Sequence, residues 1–368
     1  MSQKPDKPDK KTIVVAMSGG VDSSLAAALL KKDGHDVIGI TFRMWPKEEC
    51  GASSARACCS LEAVTRARVV AGDLEMPHYV VDFSAEFKQE VIDYFCGEYL
   101  RGMTPNPCVL CNEKIKFGKL LEKARSLGAS YIATGHYADI SFDKGCGRYI
   151  LREGKNIAGE QSYFLFSLSQ EQLGAALFPL AGLTKDQARV LAKKLKILTY
   201  DTVSSQDICF TQGADYTEYI AKSTGIRMEC GDIVDGSGKL VGRHKGIPFY
   251  TIGQRRGLGI AHKEPLYVIS IDRDNNRVVV GVKKDVLRKG LIADRVNWIA
   301  VEDIEKPVRA GVKIRYNHKK AEATLTKIDA HIVRVEFDEP QEAPTPGQAA
   351  VFYDKDIVLG GGWIREAL

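Results

Sequence analysis

Two groups of residues in this chain have types and spacings that could do chemistry: a glycine–serine loop near the start, and cysteines in polar loops far downstream. The run Ala16-Met17-Ser18-Gly19-Gly20-Val21-Asp22-Ser23 follows a β-branched stretch and opens a helical pattern. Its two glycines let the backbone turn tightly and aim N–H groups at an anion. Ser18, Ser23 and Ser24 add hydroxyl donors, and the start of a helix adds partial positive charge. Asp22 cannot hold a phosphate by charge; it suits a helix cap, or a contact to Mg²⁺ beside the phosphates. The run has neither the Gly-Lys-Ser/Thr of a P-loop nor the Gly-x-Gly-x-x-Gly of a dinucleotide fold. Phosphoryl transfer and dinucleotide binding are therefore disfavoured. Many α/β proteins have a glycine-rich turn with serine caps, so it is the whole string between strand and helix that favours a nucleotide.

The nine cysteines lie at 50, 58, 59, 96, 108, 111, 146, 209 and 230. An odd count, in a long chain whose first residues carry no apolar export stretch, argues against a disulfide framework. Cys96 sits inside a helical pattern and reads as a core filler. Cys108 and Cys111 follow Thr104-Pro105-Asn106-Pro107 and precede a helical pattern from Glu113. Cys111 is thus expected near a helix N-terminus, with Lys114 and Lys116 in the next turn, and both features favour thiolate over thiol. Cys209 closes the polar run Ser204-Ser205-Gln206-Asp207-Ile208. Four readings stand at this point: unrelated loop cysteines, a Cys-x-x-Cys redox pair, a zinc site, and sulfur transfer with one thiol as persulfide carrier and another as its partner. The redox pair lacks a thioredoxin-like setting, and adjacent Cys58 and Cys59 are poorly spaced as further zinc ligands.

The elements that must position these groups change character along the chain. Strand-like runs at Thr12–Ala16, 37–42, 78–83 and 131–134 alternate with helical patterns at 23–32, 61–74, 87–100 and 114–127. That alternation predicts an α/β, doubly wound parallel sheet, with ligand bound at the strand C-terminal ends. From about Gly231, Gly-Ser-Gly turns and alternating strands predict β structure, including strands at 267–271, 277–281, 312–316, 322–328 and 332–337. The expected organisation is a disordered lead-in at 1–10, a nucleotide domain at 11–212, a small β-rich domain at 213–290 and a β-barrel at 291–368.

Composition narrows the class. Hydrophobic residues make up 44% and charged residues 27% of 368 positions, and the formal net charge is +5. The mild basic excess is compatible with a polyanionic partner. No apolar run reaches the ~20 residues that cross a bilayer, so a cytoplasmic protein without a membrane role is expected.

The Ser18–Ser24 string resembles the PP-loop of ATP pyrophosphatases, which split ATP between the α and β phosphates and adenylate a substrate oxygen. A longer ordered set runs over nearly the whole chain: SGGVDSS, TPNPCVLCNEKIKF, ATGHYA, EQSYFLF, SSQDICF, GQRRGLGI and TPGQAAVFY…GGGWI. Together these segments resemble the bacterial tRNA-specific 2-thiouridylases. The resemblance implies a PP-loop domain, a small central domain and a terminal barrel. It also implies ATP-dependent thiolation of the wobble uridine of tRNAs for Lys, Glu and Gln, with a cysteine desulfurase or sulfur-relay protein as persulfide donor. ATP would be held by Ala16–Ser23, with Phe42 and Gly135 lining the pocket. Cys111 would be the nucleophile and Cys209 the persulfide carrier. Asn106, Pro107 and Cys108 would meet the target base, and His136, Glu160, Gln161, Ser162, Arg315, Tyr316 and Gln348 would contact tRNA.

One departure stands out: many members of that family have Asp where this chain has Cys108. An alternative therefore places a [4Fe–4S] cluster on Cys108, Cys111 and Cys209, with one iron open to sulfide. A PP-loop ligase or amidotransferase acting on a small molecule is a rival enzyme, but it gives the cysteines no task. A non-catalytic RNA-binding module leaves the phosphate loop unexplained.

Overall fold

Runs of Ile and Val near the start of the chain pair side by side, because each is buried on both faces and cannot end in water. The computed structural model describes residues 10–44, 61–200, 208–211 and 215–368. The lead-in up to residue 9, Cys50, Cys58, Cys59 and the 204–207 part of the Cys209 segment lie outside the described residues. The chain divides into two compact units, Met1–Val91 with Cys108–Gly213, and Ile92–Pro107 with Ala214–Leu368.

The first unit begins β1 (Thr12–Ala16), α1 (Val21–Lys32), β2 (Asp36–Arg43), α2 (Leu61–Asp73), β3 (His78–Asp82) and α3 (Ser84–Phe87). A π-helical stretch Lys88–Ile92 carries α3 on into α4 (Asp93–Leu100), which belongs to the second unit. Next come α5 (Pro107–Leu110), a π-helical segment Cys111–Lys119, α6 (Leu120–Ser126) and β4 (Tyr131–Ala133). The unit closes with the hairpin β5 (Ala138–Asp143) and β6 (Arg148–Glu153), then α7 (Gln170–Ala175), β7 (Ala176–Leu177) and α8 (Lys185–Lys194). Its sheet has the order β3-β2-β1-β4-β7 and every neighbour is parallel. Strand order reverses direction between β1 and β4, which opens a crevice at their carboxyl ends. Ile13, Val15, Leu25, Ala67, Val70 and Ala133 form one buried cluster around this sheet. Burying each larger aliphatic side chain there contributes about 1.5–3 kcal/mol.

In the second unit, α9 (Tyr216–Thr224) is capped by Asp215 and stopped by Gly225 in the left-handed region. A four-stranded sheet follows, made of β8 (Gly231–Asp235), β9 (Leu240–His244), β10 (Tyr267–Asp272) and β11 (Arg277–Gly281) in the order β10-β11-β8-β9. Then β12 (Leu287–Trp298), β13 (Val308–Lys313), β14 (Ala321–Asp329), β15 (Ile332–Glu342), β16 (Ala349–Asp354) and β17 (Ile357–Ala367) form a barrel. It runs β12-β15-β14-β13-β16-β17 and closes through the antiparallel β12–β17 pair. Closure removes the sheet edges that would otherwise expose unpaired N–H and C=O groups. Leu291, Val312, Leu325, Val335 and Phe352 fill its interior.

The expected fold class is therefore the observed one, with two local corrections. The helix expected from Glu113 begins at Pro107, because proline fits the first helical position, where its missing N–H has no partner to lose. The strand expected at 312–316 is β13, Val308–Lys313; the chain turns at 314–317, where the His318 N–H donates to the Arg315 carbonyl. Among the described residues no helix is long and apolar enough to cross a membrane.

Candidate nucleotide and sulfur-transfer site

Everything about the phosphate loop is arranged for close backbone approach. Gly19 has φ +71°, and a Cβ there would stand 2.2 Å from the Ala63 carbonyl oxygen of α2, so only glycine fits on both counts. The Arg66 side chain donates to the Gly19 carbonyl at 3.1 Å, which ties the loop to α2. Ser23 and Ser24 hydroxyls donate to the Gly20 carbonyl at 3.2 and 2.9 Å, and the Ser18 N–H donates to Ser23 Oγ at 3.2 Å. No side chain caps α1 at Gly20. The start of this helix thus keeps its positive end facing the crevice. Across the crevice, after β4, a Cβ on Gly135 would lie 2.8 Å from Asp22 and 2.9 Å from the Ser23 nitrogen. Ala16, Met17 and Phe42 complete the strand ends: the Met17 carbonyl accepts from Thr41 at 2.8 Å, and the Phe42 ring lies 5.7 Å from that of Phe83. Ala16–Ser23 and Gly135 are therefore brought together at one place.

Asp22 is neither a cap nor free. Its carboxylate accepts from the Tyr137 hydroxyl at 2.7 Å and pairs with the Lys185 ammonium. Burial and the neighbouring Asp22 charge push the Tyr137 phenol up, so it stays protonated and donates to that carboxylate. Tyr137 is itself held by Gln161, whose side-chain oxygen accepts from the Tyr137 N–H at 3.0 Å and whose own N–H donates back at 3.1 Å. Lys185 is fixed by a capping box in which Thr184 and Gln187 satisfy each other's backbone N–H groups. Sequence reasoning missed Lys185 and Tyr137. A signal existed: lysine at the first position of a helix opposes the helix dipole, so an anion nearby is the simplest reason for it.

Three of the residues expected to contact tRNA are packed inside the first unit. His136 is 8% exposed, with its ring against Phe117 and Phe178 and its Nδ1 2.7 Å from the Thr134 hydroxyl. Burial, then the Lys116 charge, pull its pKa well below the ordinary value, so the ring is neutral and is no phosphate-binding cation. The Glu160 carboxylate accepts from the Ser162 N–H, and both residues are buried. In the second unit, Asn106 and Pro107 are buried. Gln348 donates to the Thr104 carbonyl at 2.9 Å and the Pro105 carbonyl at 3.4 Å, while the Thr104 N–H donates to the Pro346 carbonyl at 2.9 Å. Gln348 thus holds the strand of backbone that leads into Asn106. Arg315 is exposed, with its guanidinium on the Glu342 carbonyl at 3.0 Å, and the neighbouring Tyr316 ring faces Lys313.

Cys108, Cys111 and Cys209 fall on two segments of the first unit. Cys108 is exposed near the start of the helix that opens at Pro107, and Cys111 is 8% exposed where that helix turns π-helical. The expectation that Cys111 sits at the helix start is corrected: Cys108 takes that place, and the field of a helix end fades within one turn. Cys209 begins a short 3₁₀ turn and is partly buried. Its neighbour Phe210 is buried and packs edge-on against Phe87 of α3 at 6.1 Å. α3 in turn lies against the Cys111–Lys119 segment, so both thiol-bearing segments are seated on one short helix. Among the described residues no three His, Cys, Asp or Glu side chains gather to hold a metal ion.

Three family models match the chain in order. Residues 11–213 match the family described as tRNA methyl transferase HUP domain. Residues 218–282 match its PRC-barrel domain, and residues 288–364 an aminomethyltransferase beta-barrel domain. The chain is 49% identical to tRNA-specific 2-thiouridylase MnmA 2 of Thermoanaerobacter sp. (strain X514), over 97% of this chain and 98% of that one. It is 46% identical to tRNA-specific 2-thiouridylase MnmA of Clostridioides difficile (strain 630), covering 97% and 99%. Against the protein of the same name from Geotalea uraniireducens (strain Rf4) it is 49% identical, covering 98% and 96%. Identity at that level, end to end and through all three matched domains, means that this chain belongs to the tRNA-specific 2-thiouridylase family.

Proposed function

We propose that this protein uses ATP to replace the C2 oxygen of the wobble uridine of tRNA with sulfur, releasing AMP and pyrophosphate. The observation that carries this reading is the end-to-end identity with 2-thiouridylases, in a chain whose phosphate loop and thiol segments share one compact unit. The substrates are the tRNAs for Lys, Glu and Gln, and the sulfur comes from a persulfide donor such as a cysteine desulfurase or a sulfur-relay protein.

The chemistry explains why such parts are needed. Oxide is a hopeless leaving group, so the C2 oxygen is first joined to the α-phosphorus of ATP, and pyrophosphate departs. Backbone N–H groups of Gly19 and Gly20 and the start of α1 stabilise the charge that develops there. Lys185 is the nearest fixed cation to Asp22 and turns to the phosphates once Asp22 has another partner. Asp22 would be the residue to hold a magnesium ion in place of Lys185, and such an ion would supply positive charge to the phosphates. The terminal sulfur of a Cys209 persulfide then attacks C2 and expels AMP. Cys111 thiolate attacks the Cys209 sulfur, the S–S bond to the base breaks, and 2-thiouridine leaves with a Cys111–Cys209 disulfide behind it. Release of sulfide by Cys111 before attack on C2 gives the same products. In both orders a dithiol reductant restores the thiols. A buried C2 must leave its stack, so a single-stranded loop is the target.

Purified protein incubated with ATP, a persulfide donor and unmodified tRNA is expected to release AMP and pyrophosphate only when tRNA is present. Nucleoside mass spectrometry of that tRNA should show 2-thiouridine. Nucleotide release that ignores tRNA, or methylation in place of thiolation, would remove the proposal.

A further inference from the structure

The helix that carries Cys111 is held in an unusual form by one side chain from elsewhere. From Cys111 to Lys119 the backbone bonds at i→i+5 rather than i→i+4, as when the Leu120 N–H donates to the Ile115 carbonyl. Such widened turns are rare, and they are enriched at functional sites because the shift re-aims side chains. Gly118 belongs to this form: a Cβ there would stand 3.1 Å from the Glu113 carbonyl oxygen, tighter than most side chains tolerate. The Gln172 amide reaches the same place. Its Nε2 donates to the Glu113 carbonyl at 3.0 Å and to the Phe117 carbonyl at 3.1 Å.

Gln172 is fixed from behind. It is the third residue of α7, its Oε1 accepts from the Ser169 N–H at 2.9 Å, and its N–H donates to Ser169 Oγ at 3.2 Å. The Ser169 backbone N–H thus holds the amide oxygen while both amide hydrogens go to the helix, which fixes the side chain at its end. α7 itself is seated close to β6. A Cβ on Gly174 would meet the Tyr149 ring at 2.7 Å, and Gln170 exchanges hydrogen bonds with the Tyr149 backbone at 2.7 and 3.0 Å. A rigid cap therefore grips two carbonyls of the turn that begins at Cys111.

We infer that Gln172 is a positioning residue for Cys111: its amide holds the widened turn open and so sets where the thiolate stands. The inference rests on the proposal that Cys111 is the sulfur-transfer nucleophile, but its main test does not require thiolation. Gln172→Glu keeps an oxygen for the Ser169 N–H and loses both donors to the helix. Gln172→Met loses the same donors without adding charge. Ser169→Ala removes the Oγ cap and leaves the clamp.

The readout is the alkylation rate of Cys111 by iodoacetamide across pH 6–9, followed by peptide mass spectrometry on the full-length protein. Gln172→Glu and Gln172→Met should each relax the turn and raise that rate several-fold, while Ser169→Ala leaves it as in the unaltered protein. In thiolation assays the two Gln172 variants should lose on the order of 10- to 100-fold in kcat with little change in KM for tRNA, as a displaced nucleophile does. Unchanged Cys111 alkylation in both Gln172 variants overturns the inference, and so does an equal effect from Ser169→Ala, because the cause would then be α7 stability. A faster Cys111 in a protein that never thiolates tRNA supports the clamp and refutes the proposed reaction instead. If Gln172→Glu does not fold, Gln172→Met and Ser169→Ala decide the matter between them.

Discussion

At the scale of single residues, the proposed sulfur chemistry divides between a partly buried thiol, Cys209, and a buried one, Cys111. On that proposal Cys209 has to meet a persulfide donor, and Cys111 has to be kept from other oxidants until Cys209 is loaded. Changing Cys209 to Ser is expected to abolish 2-thiouridine formation while ATP and tRNA binding persist, which filter binding and nucleoside mass spectrometry would check. Thiolated product from that variant would take Cys209 out of the reaction. Lys185 offers a second test. Lys185→Met leaves the Asp22 carboxylate without its ion pair, and the partly exposed pair contributes only about 1 kcal/mol to stability. The expected loss is therefore in AMP formation, at least tenfold, with a small shift in melting temperature; a large fall in stability with normal turnover would make the pair structural. The strand–turn–helix setting of the phosphate loop was legible from residue type and spacing. Tyr137 and Lys185 were not, because their partner Asp22 lies 115 and 163 positions away and no local pattern announces a pair at that distance.

Elements carry the next level of the argument. The sheet and its helices could be read from hydrophobic period, since β-branched runs and amphipathic stretches alternate without ambiguity. Helix starts and π-helical segments could not. Pro107 reads as a breaker until one sees it occupying the first helical position, and the widened turn depends on Gln172, which is distant in sequence. The hairpin β5–β6 was also missed, since β5 is exposed over its second half and β6 buries only Ile150 and Leu151. Glycines give the element-scale prediction. Gly135→Ala would drive a methyl group into the Asp22 and Ser23 backbone, costing about 1–3 kcal/mol and ATP binding with it. Gly72→Ala, on α2 with nothing within 4 Å of the added carbon, should instead stabilise by roughly 0.5–1 kcal/mol. Thermal melts with and without ATP separate the two; equal behaviour would mean that the close packing around the loop is not as described.

For the whole molecule, the imidazoles that lose water on folding bear on acid stability. Burial is the leading cause that pulls His78, His136, His244 and His318 down. The unfolded chain takes up protons near pH 6.5 while these rings, His136 most of all, take them up only at lower pH in the fold, so stability is full above that pH and falls as pH drops through it. His136 alone contributes a slope of about 1.4 kcal/mol per pH unit below that point. Denaturant titrations at pH 7.5 and 5.5 should show the loss, and His136→Phe should flatten it; an unchanged slope would mean the ring is not neutral in the fold. The exposed basic residues Arg243, Lys245, Arg255, Arg256 and Arg315 of the second unit, with the net charge of +5, predict tRNA affinity that falls steeply with salt.

The central claim is that adenylation and two-thiol sulfur transfer are one reaction of one unit. A single-turnover experiment addresses it most directly: protein carrying a persulfide on Cys209 is mixed with ATP and tRNA without reductant, and disulfide-linked peptides and 2-thiouridine are both counted. One Cys111–Cys209 disulfide should form for each 2-thiouridine, and neither should form without ATP. Thiouridine accumulating with Cys111 still reduced, or a disulfide forming at the same rate when ATP is withheld, would contradict the account.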